Sequence, residues 1–160
     1  MREKKIHPFT ESLHTGLSYA VIGSKEELRQ HRHAWKAWRA LQGFGCTVYL
    51  VAAELKRWEG AKVYPDLPAL TGKVQVAVPC LSPEEMPDLV AEALAAGVEQ
   101  IWFQEQSWSP EMHQQCELAG IQAVRGCVLR HRTYRQPLGY FHPCFWHGLR
   151  DLKVPLKRHL

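Results

Sequence analysis

Gly23, Ser24, Lys25, Arg29, His31, Arg32 and His33 lie in one short polar stretch. A diphosphate is held by such a set, because the N-terminus of a helix carries about half a positive charge and exposes backbone N–H groups that nearby cations reinforce. The same residues also read as a solvated loop leading into an amphipathic helix. Cys80 precedes a helix start at Ser82, a position that lowers a thiol's pKa and makes it reactive, the alternative being a plain buried cysteine. Trp102 and Gln104 end an apolar run, where an indole either lines a ligand slot or packs in the core. His142-x-Cys144-x-x-His147, with His131 upstream, contains metal-capable side chains at a spacing that matches no zinc pattern, so no metal ligand is assigned. There is no Gly-x-Ser-x-Gly elbow, no Gly-x-x-x-x-Gly-Lys-Ser/Thr loop and no His-Glu-x-x-His. Gly23 lacks the partner glycines of the dinucleotide fingerprint, which disfavours NAD(H). No catalytic residue is assigned, and the inventory points to a binding module rather than an enzyme.

The elements that must position these residues follow from apolar periodicity. Leu17 to Ile22 is a short apolar run ended by Gly23-Ser24 and predicts a buried strand. Ala34, Trp35, Ala37, Trp38 and Leu41 recur at helical spacing up to Gly43 and Gly45. Thr47 to Ala52 is β-branched and apolar without alternation, as in a strand covered on both faces. From Leu55 to Leu70 the interruptions Gly60, Pro65 and Pro68 leave mostly loop, with at most a short edge segment at 63–67. Val74 to Val78 is a strand. Ser82-Pro83-Glu84-Glu85 carries an N-cap, a proline at the first helical position and an acid in the first turn, predicting a helix from there to Ala96. Ile101 to Phe103 is a strand, Ser109-Pro110-Glu111 opens a second capped helix ending at Gly120, and Ile121 to Val124 is the last strand. Five strands alternating with helices predict an α/β, doubly wound parallel sheet. Ligands of such sheets sit beyond the carboxyl ends of the strands, where the strand order reverses. That directs attention to Gly23 to His33, Ala52 to Glu54, Pro79 to Ser82 and Gln104 to Trp108.

The chain has 160 residues, 46% of them hydrophobic, enough for one domain with a full core. Its net charge of +4 is too mild to indicate a nucleic-acid partner. The charge is uneven: residues 125–160 hold eight basic side chains against the single acid Asp151, so the body is slightly acidic and the tail basic. No run approaches the roughly 18 apolar residues of a membrane helix, and the start resembles no signal peptide, so a cytoplasmic protein without a membrane partner is expected. Five widely spaced cysteines without a C-x-x-C fit reduced thiols.

Four stretches carry a family resemblance: Tyr19-Ala20-Val21-Ile22-Gly23-Ser24, Gly60-Ala61-Lys62-Val63-Tyr64-Pro65-Asp66-Leu67, Gly97-Val98-Glu99-Gln100-Ile101-Trp102-Phe103-Gln104 and Ala119-Gly120-Ile121-Gln122-Ala123-Val124-Arg125-Gly126-Cys127. In these the chain, over roughly 18–130, resembles the small stand-alone CoA-binding domains, whose Rossmann-like unit also occurs in succinyl-CoA synthetase. The resemblance implies a Rossmann-like fold for 17–130, with 1–16 as an N-terminal segment and 131–160 as an irregular basic extension. It implies coenzyme A, or a CoA thioester, as the small-molecule ligand, bound without catalysis by Gly23, Ser24, Lys25, Arg29, Arg32, Ala52, Pro79, Cys80, Trp102 and Gln104. The chain departs from the family where the ligand is expected. Arg32-His33-Ala34 stands near the family's Arg-Pro-Ser, Leu50-Val51-Ala52-Ala53 replaces Pro-Val-Asn-Pro, and Pro79-Cys80 replaces Phe-Arg. The alternative reading is therefore a decayed pocket in an interaction protein acting through its tail. That tail carries Tyr134, Tyr140, Phe141, Phe145 and Trp146, and aromatics of this size seldom stay in water as a cluster. It is expected to pack on its own domain or on a second copy, giving a homodimer.

Overall fold

The computed structural model describes residues 16–43 and 45–129. The expectations placed on the first fifteen residues and on the tail, including its His/Cys cluster and its part in a dimer, lie outside the described residues.

Among the described residues the sheet has seven strands, β1 (Ser18–Ile22), β2 (Thr47–Val51), β3 (Arg57–Trp58), β4 (Ala61–Tyr64), β5 (Val76–Pro79), β6 (Gln100–Phe103) and β7 (Gln122–Arg125). Their order is β3-β4-β2-β1-β5-β6-β7. All neighbouring pairs are parallel except β3 with β4. The α/β class with a Rossmann-like parallel sheet is as expected from the alternation of strands and helices. The two additional strands form a hairpin in the segment read as mostly loop. Glu59 and Gly60 both have positive φ, 44° and 83°, the backbone signature of the tight turn that suits a two-residue hairpin. β4, second from the edge behind β3, has four residues with only Val63 fully buried, too short and too polar to announce itself by hydrophobicity.

Four α-helices among the described residues pack on the sheet: α1 (Lys25–Arg29), α2 (His33–Gly43), α3 (Leu89–Ala96) and α4 (Pro110–Ala119). Strand side chains alternate between two cores. Tyr19, Val21, Val76, Val78, Cys80 and Trp102 point toward α1 and α2, where Leu28, Ala34, Ala37, Trp38 and Leu41 meet them. Ala20, Ile22, Ala77, Ile101 and Phe103 point to the other face, against Leu89, Val90 and Ala93 of α3 and Met112 and Cys116 of α4. The helix expected to run unbroken from Ser82 is interrupted. Pro83–Glu85 forms one 3-10 turn with a reciprocal cap between Ser82 and Glu85, and Met86 then leaves the helical region at φ −134°, ψ 56°. Pro87 is the cause, because a proline disfavours the α conformation in the residue before it. The chain re-enters a helix at Leu89.

Candidate functional site

β1 lies between β2 and β5, so the chain runs outward from β1 to β2 and β4, then returns past β1 and runs outward again through β5, β6 and β7. Loops leaving β1 and β5 therefore part in opposite directions and open a crevice above the sheet. A cleft lies there, lined by Ile22, Gly23, Val51, Ala52, Ala53, Pro65 and Asp66 at the ends of β1, β2 and β4. Leu81, Glu85, Met86, Pro87, Asp88, Leu89 and Glu92 close it from the opposite side. Its floor is apolar and its wall at β2 is made of alanines, while Asp66, Glu85, Asp88 and Glu92 bring four carboxyl groups to its rim. The partial burial of Glu92, with the neighbouring carboxylates of Asp66 and Asp88, raises its carboxyl above the usual range.

Of the residues singled out from the sequence, Gly23 and Ala52 line this cleft. Gly23 is required for a steric reason: a Cβ there would stand 2.6 Å from the Cβ of Ala34, so the loop and the first turn of α2 touch through the missing side chain. Its N–H donates to the Val51 carbonyl at 2.9 Å. Ser24 caps α1, its Oγ accepting from the Glu27 N–H at 3.1 Å. The Lys25 N–H donates to Glu54 Oε2 at 3.2 Å. The side chains of Lys25, Arg29 and Arg32 are exposed around this loop, with Arg32 Nη1 4.0 Å from Glu27 Oε1.

Of the other expected site residues, Cys80, Trp102 and Gln104 face the α2 side of the sheet, whereas Pro79 shares the parity of Ala77 on the opposite face. Pro79 is buried at the end of β5. Trp102 is 5% exposed and packs in the core with Val124 and Val128. Gln104 is wholly buried and acts as a latch. Its Oε1 accepts from the Val128 N–H at 3.0 Å and lies 2.8 Å from His33 Nε2, and its Nε2 donates to the Trp102 carbonyl at 3.2 Å. With Oε1 already an acceptor, His33 must donate, which fixes its proton on Nε2. One amide thus ties together the start of α2, the end of β6 and the segment after β7.

Cys80 corrects the expectation of a reactive thiol. It is 2% exposed, and burial first, then the nearby Glu27 carboxylate, push its thiol far above the usual range. The turn at Pro83–Glu85 is too brief to offset that. Burial also pushes Cys116 up to about 11. Among the described thiols Cys127 is the only one not fully buried. With a thiol reagent at neutral pH and peptide-resolved detection, Cys127 labels first of the four. Cys46, Cys80 and Cys116 label at least about a hundredfold more slowly, through opening of the native state. Rapid labelling of Cys80 in the folded protein would show that its pocket is open.

Sequence reading passed over Glu27. It stands three residues after the N-cap Ser24, where the acid of a capping box reaches back to the N-cap N–H. Here its Oε2 instead accepts from the Ala34 N–H in the first turn of α2 at 3.3 Å. The Ser24-x-x-Glu27 pattern was the available signal for both α1 and this carboxylate. Among the described residues no group of three His, Cys, Asp or Glu side chains is placed to hold a metal ion, and no helix is long and apolar enough to cross a membrane.

Comparison with known proteins agrees with this architecture. No curated protein matches the chain. Among solved structures it is similar to Prb, a protein redesigned for binding, with TM-score 0.66 and 25% identity over 76% of this chain and 86% of that one. It is similar to a hypothetical protein from Pyrococcus horikoshii OT3, with TM-score 0.64 and 23% identity over 81% of this chain and 95% of that one. It also resembles an acetyl-coenzyme A synthetase of Ca. Korarchaeum cryptofilum in complex with phosphate and ADP, with TM-score 0.60 and 20% identity over 71% of this chain but 26% of the synthetase. The last two likenesses, below 25% identity, concern the fold. The model of the CoA binding domain matches residues 17–133. That match spans most of the chain, from the first strand through the segment latched by Gln104, and the chain therefore belongs to the CoA binding domain family.

Proposed function

We propose that this domain binds coenzyme A or an acyl-CoA, without catalysing a reaction on it, in the cleft at the carboxyl ends of β1, β2 and β4. The observation that carries the reading is the coincidence of that cleft with the reversal of strand order at β1, in a chain whose family match covers every strand of the sheet. The apolar floor and the small Gly23, Ala52 and Ala53 leave room for the uncharged parts of the ligand. For the phosphates the exposed Lys25, Arg29 and Arg32 are the nearest cations along the first loop. Acids at the cleft rim favour the second reading, a domain that has given up its polyanionic ligand and serves as an interaction module. The proposal extends to a cytoplasmic and dimeric protein, on the strength of its unpatterned cysteines and its aromatic, basic tail.

Thermal unfolding with and without CoA decides between the two readings. A ligand that binds only the native state adds RT ln(1 + [L]/Kd), about 2.7 kcal/mol at a hundredfold excess over Kd. The expected outcome is a rise in Tm of several degrees that is lost when Lys25 and Arg32 are both replaced by Ala. An unchanged Tm at millimolar CoA, with no heat of binding by calorimetry, would leave the interaction-module reading.

A further inference from the structure

We propose that Glu27 is a built-in competitor for the ligand's phosphates, holding the anion position at the start of α2 until CoA displaces it. This inference rests on the CoA-binding reading and specifies how that site is restrained. Arg32, the residue before α2, has no side-chain acceptor, so it cannot cap the helix as Ser, Thr, Asp or Asn would. The first N–H groups of α2 therefore need an acceptor from elsewhere. In the Rossmann arrangement a ligand phosphate meets that need. Here a carboxylate of the chain meets it: Glu27 Oε2 accepts from the Ala34 N–H at 3.3 Å, and the side chain is only 16% exposed. The usual partner of an acid in its position, the N–H of Ser24, is bypassed in favour of the neighbouring helix.

One further observation links this carboxylate to the cleft. Gly23, which lines the cleft, lies so near α2 that a Cβ added to it would stand 2.6 Å from the Cβ of Ala34 and 3.8 Å from the Cβ of Glu27. A second carboxylate, Glu54, takes the Lys25 N–H in the same loop. The loop thus has acids of its own on N–H groups that a phosphate would seek. Glu27 is held by one N–H and a long ion pair to Arg32, a set weak enough to be exchanged. CoA binding then requires the carboxylate to swing out, Arg32 being released to the incoming phosphate.

Calorimetric titration of CoA into the full chain and into Glu27→Gln and Glu26→Gln variants tests this. Glu26 is exposed, lies on α1 and contacts Gln30, so its replacement makes the same change in net charge away from α2. Glu27→Gln keeps an oxygen for the Ala34 N–H while removing the charge, and should lower the CoA Kd by about tenfold. Glu26→Gln should leave it within about twofold. Glu27→Ala, which frees the N–H altogether, provides a second variant, with ligand-free Tm confirming that each protein is folded. If the parent chain binds CoA and the Glu27 variants bind no more tightly, the competitor role is overturned and the binding reading stands. Equal tightening in Glu26→Gln and Glu27→Gln would reduce the effect to general charge and also overturn it. Failure of every chain to bind CoA overturns both.

Discussion

Replacing Gln104 by Ala should lower the free energy of unfolding by about 3–5 kcal/mol, one of the largest losses expected from a polar residue in this domain. The amide is wholly buried and serves three segments at once. Without it the Val128 N–H and the Trp102 carbonyl lose side-chain partners in a region shut off from water. Each such group costs about 1–3 kcal/mol, and the empty volume adds to that. Gln104→Leu refills most of the space and isolates the polar part, with an expected loss of about 2–3 kcal/mol. Urea unfolding followed by tryptophan fluorescence reads both. The comparison also separates a structural amide from one that touches ligand. A latch lowers stability in the absence of CoA, whereas a ligand contact would leave ligand-free stability within about 1 kcal/mol and abolish only the shift that CoA produces.

Gly23→Val should cost about 3 kcal/mol or more, and Gly23→Ala about 1–3 kcal/mol. The atom that an added Cβ meets, at 2.6 Å, is the Cβ of Ala34, which moves only if α2 moves. Relief must therefore come from sliding the helix off the sheet, which disturbs the packing of Ala37, Trp38 and Leu41 below it. The partner substitution provides a check. Ala34→Gly alone costs about 1 kcal/mol through helix propensity, yet combined with Gly23→Ala it should recover most of the loss. That is the non-additivity expected of two atoms competing for one space. Equal stability of Gly23→Ala and the parent chain would show that the loop is free to withdraw from the helix.

The parts of the fold legible from sequence are those in which burial writes a long apolar signal. β1, β2, β5, β6 and β7 sit where short apolar runs placed them, because strands covered on both faces need such runs. What escaped was short or set by a single residue. α1 is five residues long, and only Ser24 followed by Glu27 marks it. The β3–β4 hairpin depends on positive φ at Glu59 and Gly60 rather than on apolar content. The break before α3 comes from Pro87 alone. At the candidate site the sequence marks where each strand ends, but not the direction in which each side chain leaves the sheet. Cys80 shares its parity with Val76 and Val78, and Gln104 shares its parity with Trp102, so both turn toward α2. The lining of the cleft instead includes Ile22, Met86 and Leu89, which belong to the opposite core. Strand alternation would have sorted these residues had it been carried one step past each strand.

The hairpin at the margin of the sheet bears on how the protein behaves at high concentration. An open edge of parallel strands presents unpaired N–H and C=O groups, on which a strand from another molecule can template itself. Here β4, with its buried Val63, is covered by β3, and β3 offers a newcomer only the two residues Arg57 and Trp58 before the chain turns away. Arg57 is exposed and donates to the Gly60 carbonyl across the turn, so the outermost rung carries a charge that an incoming strand would have to desolvate. On that side the sheet ends in a short, charged, tightly turned strip, a poor template for the edge-to-edge growth that leads to fibrils.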